Sequence, residues 1–176
     1  FSMVLNGKLK MPKKEQESKW FLKTHEILSR NGYQAYEISN FSKPGYECNH
    51  NLHYWNIEPY LAFGPSAHGF DGQYRWNNSR SLDQYISCIL AGKSAISMRE
   101  KISAIEHINE KVGFGLRMKK GFEIKDIPKN YHKLLKNNIE NAQEKYPDCI
   151  ITKSNNVTFT QKGMLYADEL IPSILL

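Results

Sequence analysis

The stretch from Lys13 to Arg30 constrains the fold of this chain more than any other. Trp20, Phe21, Ile27 and Leu28 recur on one face of a 3.6-residue period, charged residues fill the other face, and Asn31-Gly32 supplies a helix stop. Immediately afterwards, Tyr33 to Asn40 places Tyr33, Ala35, Tyr36 and Ile38 in a short run that reads as a strand. A helix feeding a strand across a glycine is the repeating unit of an α/β barrel or a doubly wound sheet.

The same logic carries along the chain. Lys43-Pro44-Gly45 is a turn signal, and Tyr60 to Phe63 reads as a second apolar strand. That strand runs into Gly64-Pro65-Ser66-Ala67-His68-Gly69, a loop of small residues at the strand end where α/β barrels carry their chemistry. Gln73 to Trp76 suggests a further short strand. Ser81 to Ala91 reads as a helix with Ser81 as its N-cap, Leu82, Tyr85, Ile86, Ile89 and Leu90 as its apolar face, and Gly92 as its stop. The texture changes near Ala95 to Arg99, which divides the chain into residues 1–95 and 96–176. Ile102, Ile105, Ile108 and Val112 then recur at helical spacing, as do Leu134, Leu135, Ile139 and Ala142. Cys149–Thr152 and Val157–Thr160, joined by Asn155-Asn156, read as a hairpin, and a last helix carries Leu165, Leu170, Ile171 and Ile174. Helices, a small hairpin and a closing helix make a winged-helix-like α+β module.

Composition narrows the class. The chain has 176 residues, 40% hydrophobic and 24% charged, without a run of 18 apolar residues, so no membrane span is expected. Phe1 to Lys14 lack a signal-peptide layout, and Cys48, Cys88 and Cys149 stand 40 and 61 positions apart. Sparse, unpaired cysteines read as reduced thiols in a cytoplasmic compartment, and their spacing gives no metal-ligand set. Lys and Arg number 24 against 18 acids, for a net charge of +6. This charge suits an anionic partner, but the lysines are scattered, and Leu134 to Glu144 shows no cluster of Arg, Asn and Gln for reading bases. Nucleic acid is therefore disfavoured.

Several ordered motifs resemble those of the oxygen-independent coproporphyrinogen III oxidase-like radical-SAM family. They are Tyr36-Glu-Ile-Ser-Asn-Phe41, His50-Asn-Leu-His-Tyr-Trp55, Tyr60-Leu-Ala-Phe-Gly-Pro-Ser-Ala-His-Gly69, Arg75-Trp-Asn77, and Gly113-Phe-Gly-Leu-Arg117 followed by Lys120-Gly121. The second is similar to the HNxxYW pattern of the family's haem-chaperone branch. The resemblance implies the C-terminal part of a radical-SAM partial (β/α) barrel, followed by the family's small C-terminal domain. It also implies a four-iron four-sulfur cluster and S-adenosylmethionine in the full-length parent. The family's CxxxCxxC cluster motif is absent from this chain.

Residue by residue, the resemblance makes His50 the candidate haem contact. A neutral imidazole is a good axial ligand for haem iron, and flanking aromatics offer a flat surface. The residues alone also allow His50 and Asn51 to tie down a turn, with Tyr54 and Trp55 as core. Phe41 and Ser42 follow a strand end where relatives present backbone to S-adenosylmethionine, and Gly64, Ser66 and Ala67 follow the next, where small residues let a ligand approach. Pro65 removes one donor there. Cys48 is a thiolate candidate or a buried thiol, His68 a core or surface histidine, and Arg75 and Asn77 candidates for a propionate or for an ion pair. Trp20 and Phe21 are expected to pack.

The implied function is haem binding and transfer to an acceptor protein. The alternative is an oxygen-independent coproporphyrinogen III oxidase that decarboxylates the propionates of a porphyrinogen. A nucleic-acid-binding module ranks last. Unpaired barrel edges would also favour a homodimer.

Overall fold

The computed structural model describes residues 2–176. The chain runs α1 (Ser2–Leu5), α2 (Lys14–Arg30), β1 (Gln34–Ala35), β2 (Phe41–Ser42), α3 (Asn49–Trp55), β3 (His68–Phe70), β4 (Tyr74–Asn78) and α4 (Leu82–Leu90). It continues β5 (Ile96–Lys101), α5 (Ala104–Arg117), β6 (Phe122–Glu123), α6 (His132–Lys145), β7 (Ile150–Lys153), β8 (Asn156–Phe159), α7 (Gln161–Leu165) and α8 (Ala167–Ile174). The α/β class agrees with the sequence. The strands form three antiparallel sheets, ordered β1-β2, β3-β4-β5 and β6-β8-β7.

Helix boundaries follow their local chemistry. The Ser81 hydroxyl accepts from the Gln84 amide and opens α4. Ser103 and Glu106 form a reciprocal capping box at the start of α5. α5 carries Gly113 and Gly115 in its interior, where glycine ordinarily weakens a helix. The reason is close approach: a Cβ at Gly115 would stand 2.6 Å from Cβ of Phe122, and one at Gly113 3.3 Å from Ile171.

The buried core lies almost wholly in the terminal module. Ile108, Val112 and Leu116 of α5 meet Phe122, Leu135 and Ile139, the β8 residues Val157 and Phe159, and Leu170 and Ile174 of α8. Each such side chain, fully buried, contributes about 1.5–3 kcal/mol. Of the earlier residues, Ile38 is buried in this cluster and Phe21 packs against it. The order α5, β6, two 3-10 turns (Ile124–Asp126 and Lys129–Tyr131), α6 and the β7–β8 hairpin, with β8 central, is the winged-helix-like arrangement.

Several element expectations need correction. Tyr33–Asn40 is not a continuous strand: only Gln34–Ala35 pairs with β2, and Glu37 makes an isolated bridge to Met118. Tyr60–Phe63 reduces to one bridge, Tyr60 to Phe70, because the backbone turns at Gly64 with φ +95°. The expected Gln73–Trp76 strand lies one to two residues later, at Tyr74–Asn78. Trp20 does not pack; it is 56% exposed, whereas Phe21 does reach the core. The apolar face of α4 is likewise open, with Leu90 83% exposed. The hairpin turns at Ser154-Asn155, and the closing helix is two helices that meet at Tyr166.

Candidate functional site

The histidine motif folds as α3, and helical geometry sorts its four named residues into two pairs. His50 and Tyr54 are four apart and pack edge to face, with ring centroids 4.9 Å apart at 87°. Asn51 and Trp55, also four apart, occupy the adjoining face and point inward. The Asn51 amide donates to the Tyr36 hydroxyl at 3.3 Å. The Trp55 ring meets Phe114 at 5.6 Å and lies under the guanidinium of Arg117. The motif thus has an anchoring face and a presenting face.

His50 is exposed, and no described residue hydrogen-bonds its ring. Its neighbour His53 is engaged on both sides. Nε2 of His53 is 2.7 Å from the Pro59 carbonyl and Nδ1 is 2.8 Å from Glu58. His53 therefore works as a tether for the C-terminus of α3, which Lys120 reinforces by donating to Asn56 at 2.8 Å. That terminus ends in a Schellman pattern, with Glu58 N–H to the His53 carbonyl and Ile57 N–H to that of Tyr54. Ile57 takes the left-handed position at φ 58°, where glycine is usual and a β-branched residue is strained by about 1–2 kcal/mol.

Beneath Tyr54, a cavity of about 250 Å³ is lined by Trp55, Tyr60, Phe70, Arg75, His68 and Phe114. It is smaller than the roughly 300 Å³ at which small-molecule sites begin. Tyr60 stacks between Tyr54 at 4.6 Å and Phe70 at 6.2 Å. Arg75 is committed elsewhere. It donates to Glu110 at 2.7 Å, and that carboxylate holds the guanidinium proton more tightly than usual. His68, at the start of β3, is exposed at the cavity edge. Asn77 bonds Ser97 in the neighbouring strand.

The other candidates sit in two places. Phe41 packs edge-on to His25 at 4.7 Å, and Ser42 is buried with its hydroxyl unpartnered among the described residues. In the second loop the Gly64 amide donates to the Tyr85 hydroxyl, the Ser66 amide to the Ser79 carbonyl, and the Ala67 amide to the Gly64 carbonyl. Asn78 pins this turn by donating to the carbonyls of Ala62 and Gly64 at 3.2 and 2.9 Å. The amides of Gly64, Ser66 and Ala67 thus already have intramolecular acceptors. Cys48 is exposed at the N-terminus of α3, Cys88 half-buried and Cys149 buried, and all three are free. Among the described residues no three of His, Cys, Asp or Glu gather where a metal ion could be held. No helix among them is long and apolar enough to cross a membrane.

Sequence reasoning missed Tyr36, Glu37, Asn78 and Arg117 as working residues. Glu37 is fully buried, and its Oε1 accepts from the Ser39 amide at 2.8 Å and from the Asn40 side chain at 2.5 Å. An acid set between Tyr36 and Ile38 in an apolar run was the available signal.

No family model matches the chain. Among curated proteins, it is 30% identical over 179 residues to "Heme chaperone HemW" of Bacillus subtilis, a match covering 99% of this chain and 47% of that protein. The protein of the same name from Buchnera aphidicola subsp. Schizaphis graminum is 30% identical, over 96% of this chain and 45% of its own length. The Escherichia coli protein of that name is 49% identical over a shorter stretch of 49 residues. The chain therefore spans about half the length of the curated relatives it matches. Among solved structures it is similar to coproporphyrinogen III oxidase (HemN) from Escherichia coli, titled a radical SAM enzyme. That match has a TM-score of 0.73 and 16% identity, and covers 93% of this chain and 42% of the other. At that identity the likeness shows the fold. The chain is thus related in sequence to the proteins named heme chaperone HemW over about half their length, and it shares the fold of the matching part of HemN.

Proposed function

We propose that this chain binds haem through His50 and takes part in passing it to an acceptor protein. One observation carries the reading: Asn51 and Trp55 anchor α3 while His50 stays exposed, backed by the half-buried Tyr54 ring. An imidazole whose nitrogens bond no described residue can offer one of them to iron, and the perpendicular Tyr54 ring fixes its plane. Haem when bound supplies the iron that His50 coordinates. The chain's part is to present the imidazole and to leave one haem face accessible. An open face favours hand-over, since a haem enclosed on both sides leaves slowly. The names of the relatives support this reading.

For a full-length protein of the family, the resemblance implies a four-iron four-sulfur cluster and S-adenosylmethionine. The buried Ser42 hydroxyl beside Phe41 has no partner among the described residues and stays open to S-adenosylmethionine. No metal-ligand cluster is formed among the described residues, and the Gly64, Ser66 and Ala67 amides have partners already. Three free thiols suit a cytoplasmic setting. A second copy is the partner that the exposed edge strand β5 favours, all six of its residues being exposed.

The test is a haem titration followed by absorbance. Saturable binding with a shifted Soret band, lost in His50→Ala, is expected. Equal binding by the two proteins would reduce His50 to a residue without a ligand role.

A further inference from the structure

We infer that Arg117 is a positioning residue for His50, acting through Trp55 from the far end of the terminal module. The inference rests on the reading of His50 as the haem contact and adds what sets its direction.

Arg117 closes α5, where a cation is favoured by the helix dipole. Its guanidinium carbon lies 4.9 Å from the centre of the Trp55 ring, a cation–π contact. One of its terminal nitrogens lies 3.6 Å from Oε2 of Glu37. Glu37 is 0% exposed, and a buried carboxylate without a nearby cation is strongly unfavourable. The guanidinium is therefore held from below by Glu37 and covers Trp55 from above.

The backbone makes this arrangement rigid. The Ile38 amide donates to the Arg117 carbonyl at 3.1 Å, and the Lys119 amide to the Tyr36 carbonyl at 3.0 Å. Residues 36–38 and 117–119 thus form a short crossing of two paired segments. α3 stands on that crossing at two points one helical turn apart, Asn51 on Tyr36 and Trp55 on Arg117. A helix fixed at i and i+4 on one face cannot roll about its axis. Rolling is the motion that would turn His50 away from its outward position. Removing Arg117 takes the cation from Glu37 and one of the two contacts from the Trp55 ring, leaving Phe114 there, so this face of α3 loosens.

The experiment uses two readouts on the whole chain: amide hydrogen exchange across Asn51–Trp55, and haem titration by absorbance. In Arg117→Met, α3 exchange should rise at least tenfold while amides in α6 and β8 keep their protection. Haem affinity should fall severalfold with an altered Soret band. Arg117→Lys keeps a charge near Glu37 without the planar face for Trp55, and should give a smaller change in both. Equal α3 exchange in the wild type and both variants would overturn the inference. So would loss of protection spread evenly through α5, α6 and α8, since it would make Arg117 a general stability residue. If the wild type binds no haem, the reading of His50 fails, yet selective loosening of α3 would still show Arg117 controlling that helix.

Discussion

Arg75 on β4 and Glu110 on α5 are 2.7 Å apart, and their pair is one of two that clamp the aromatic contact between Trp55 and Phe114. The other pair is Arg117 with Glu37. Along α5, Glu110, Phe114 and Arg117 share one face at spacings of four and three. Each meets its complement from the earlier part of the chain: Arg75, Trp55 and Glu37. The order of charge reverses between the two ends, so the contact has a single register.

The Arg75–Glu110 pair is partly buried, at 27% and 17% side-chain exposure. Removing one partner leaves the other charge uncompensated, whereas removing both does not. Arg75→Met and Glu110→Gln should each cost about 1–3 kcal/mol, and the double variant less than their sum. Urea denaturation of the four proteins measures the coupling. Strict additivity would show that the pair contributes no interaction of its own.

Gly121 is fixed by space as well as by conformation. Its φ is +70°, and a Cβ there would stand 2.0 Å from the Val157 carbonyl oxygen. Gly121→Ala should lower stability by about 3 kcal/mol or more, because the β6–β8 pairing must open to admit the methyl group. A thermal midpoint unchanged from the wild type would contradict the β6–β8 geometry.

His25 carries the clearest pH signature. Burial between Phe21 and Phe41 pushes its pKa below the usual value of about 6.5, and Nε2 has no partner among the described residues. A depressed folded-state pKa means that the neutral ring favours the native state. The contribution of His25 is therefore complete above about pH 6.5 and is lost as pH falls through the lower folded-state value. Thermal melts from pH 7.5 to 5 should show His25→Phe losing less stability than the wild type over that interval. Parallel curves would show that His25 does not titrate with unfolding.

The cysteines should separate by reactivity. Burial raises the Cys149 thiol pKa and covers the sulfur, while Cys48 is exposed. A disulfide reagent at neutral pH should modify Cys48 first and reach Cys149 only on unfolding. Rapid modification of Cys149 in native protein would show that the module around Val157 and Gly163 opens readily.

Helices α2, α4, α5 and α6 were legible in the sequence because their period and end signals are local: Gly32 and Gly92 as stops, Ser81 as a cap. The hairpin of β7 and β8 was legible for the same reason. The strands at Tyr33–Asn40 and Tyr60–Phe63 were not. Beyond the two-residue strand Gln34–Ala35, Glu37 makes one bridge to Met118 and Tyr60 one to Phe70, and propensity cannot tell a bridge from a ladder. His50 stood out through its motif, as did its neighbours. That Asn51 and Trp55 anchor while His50 stays exposed required the helix itself. Glu37 and Arg117, 80 positions apart, needed the fold to meet.

The central claim is that His50, and not its neighbour His53, meets haem iron. Haem titration of His50→Ala and of His53→Gln, each followed by the Soret band and by the low-spin or high-spin state of the iron, tests it most directly. The geometry predicts loss of the wild-type spectrum in His50→Ala. In His53→Gln the wild-type spectrum should persist, since His53 is tied to Glu58 and Pro59. A wild-type spectrum in His50→Ala, or its loss only in His53→Gln, would contradict the assignment.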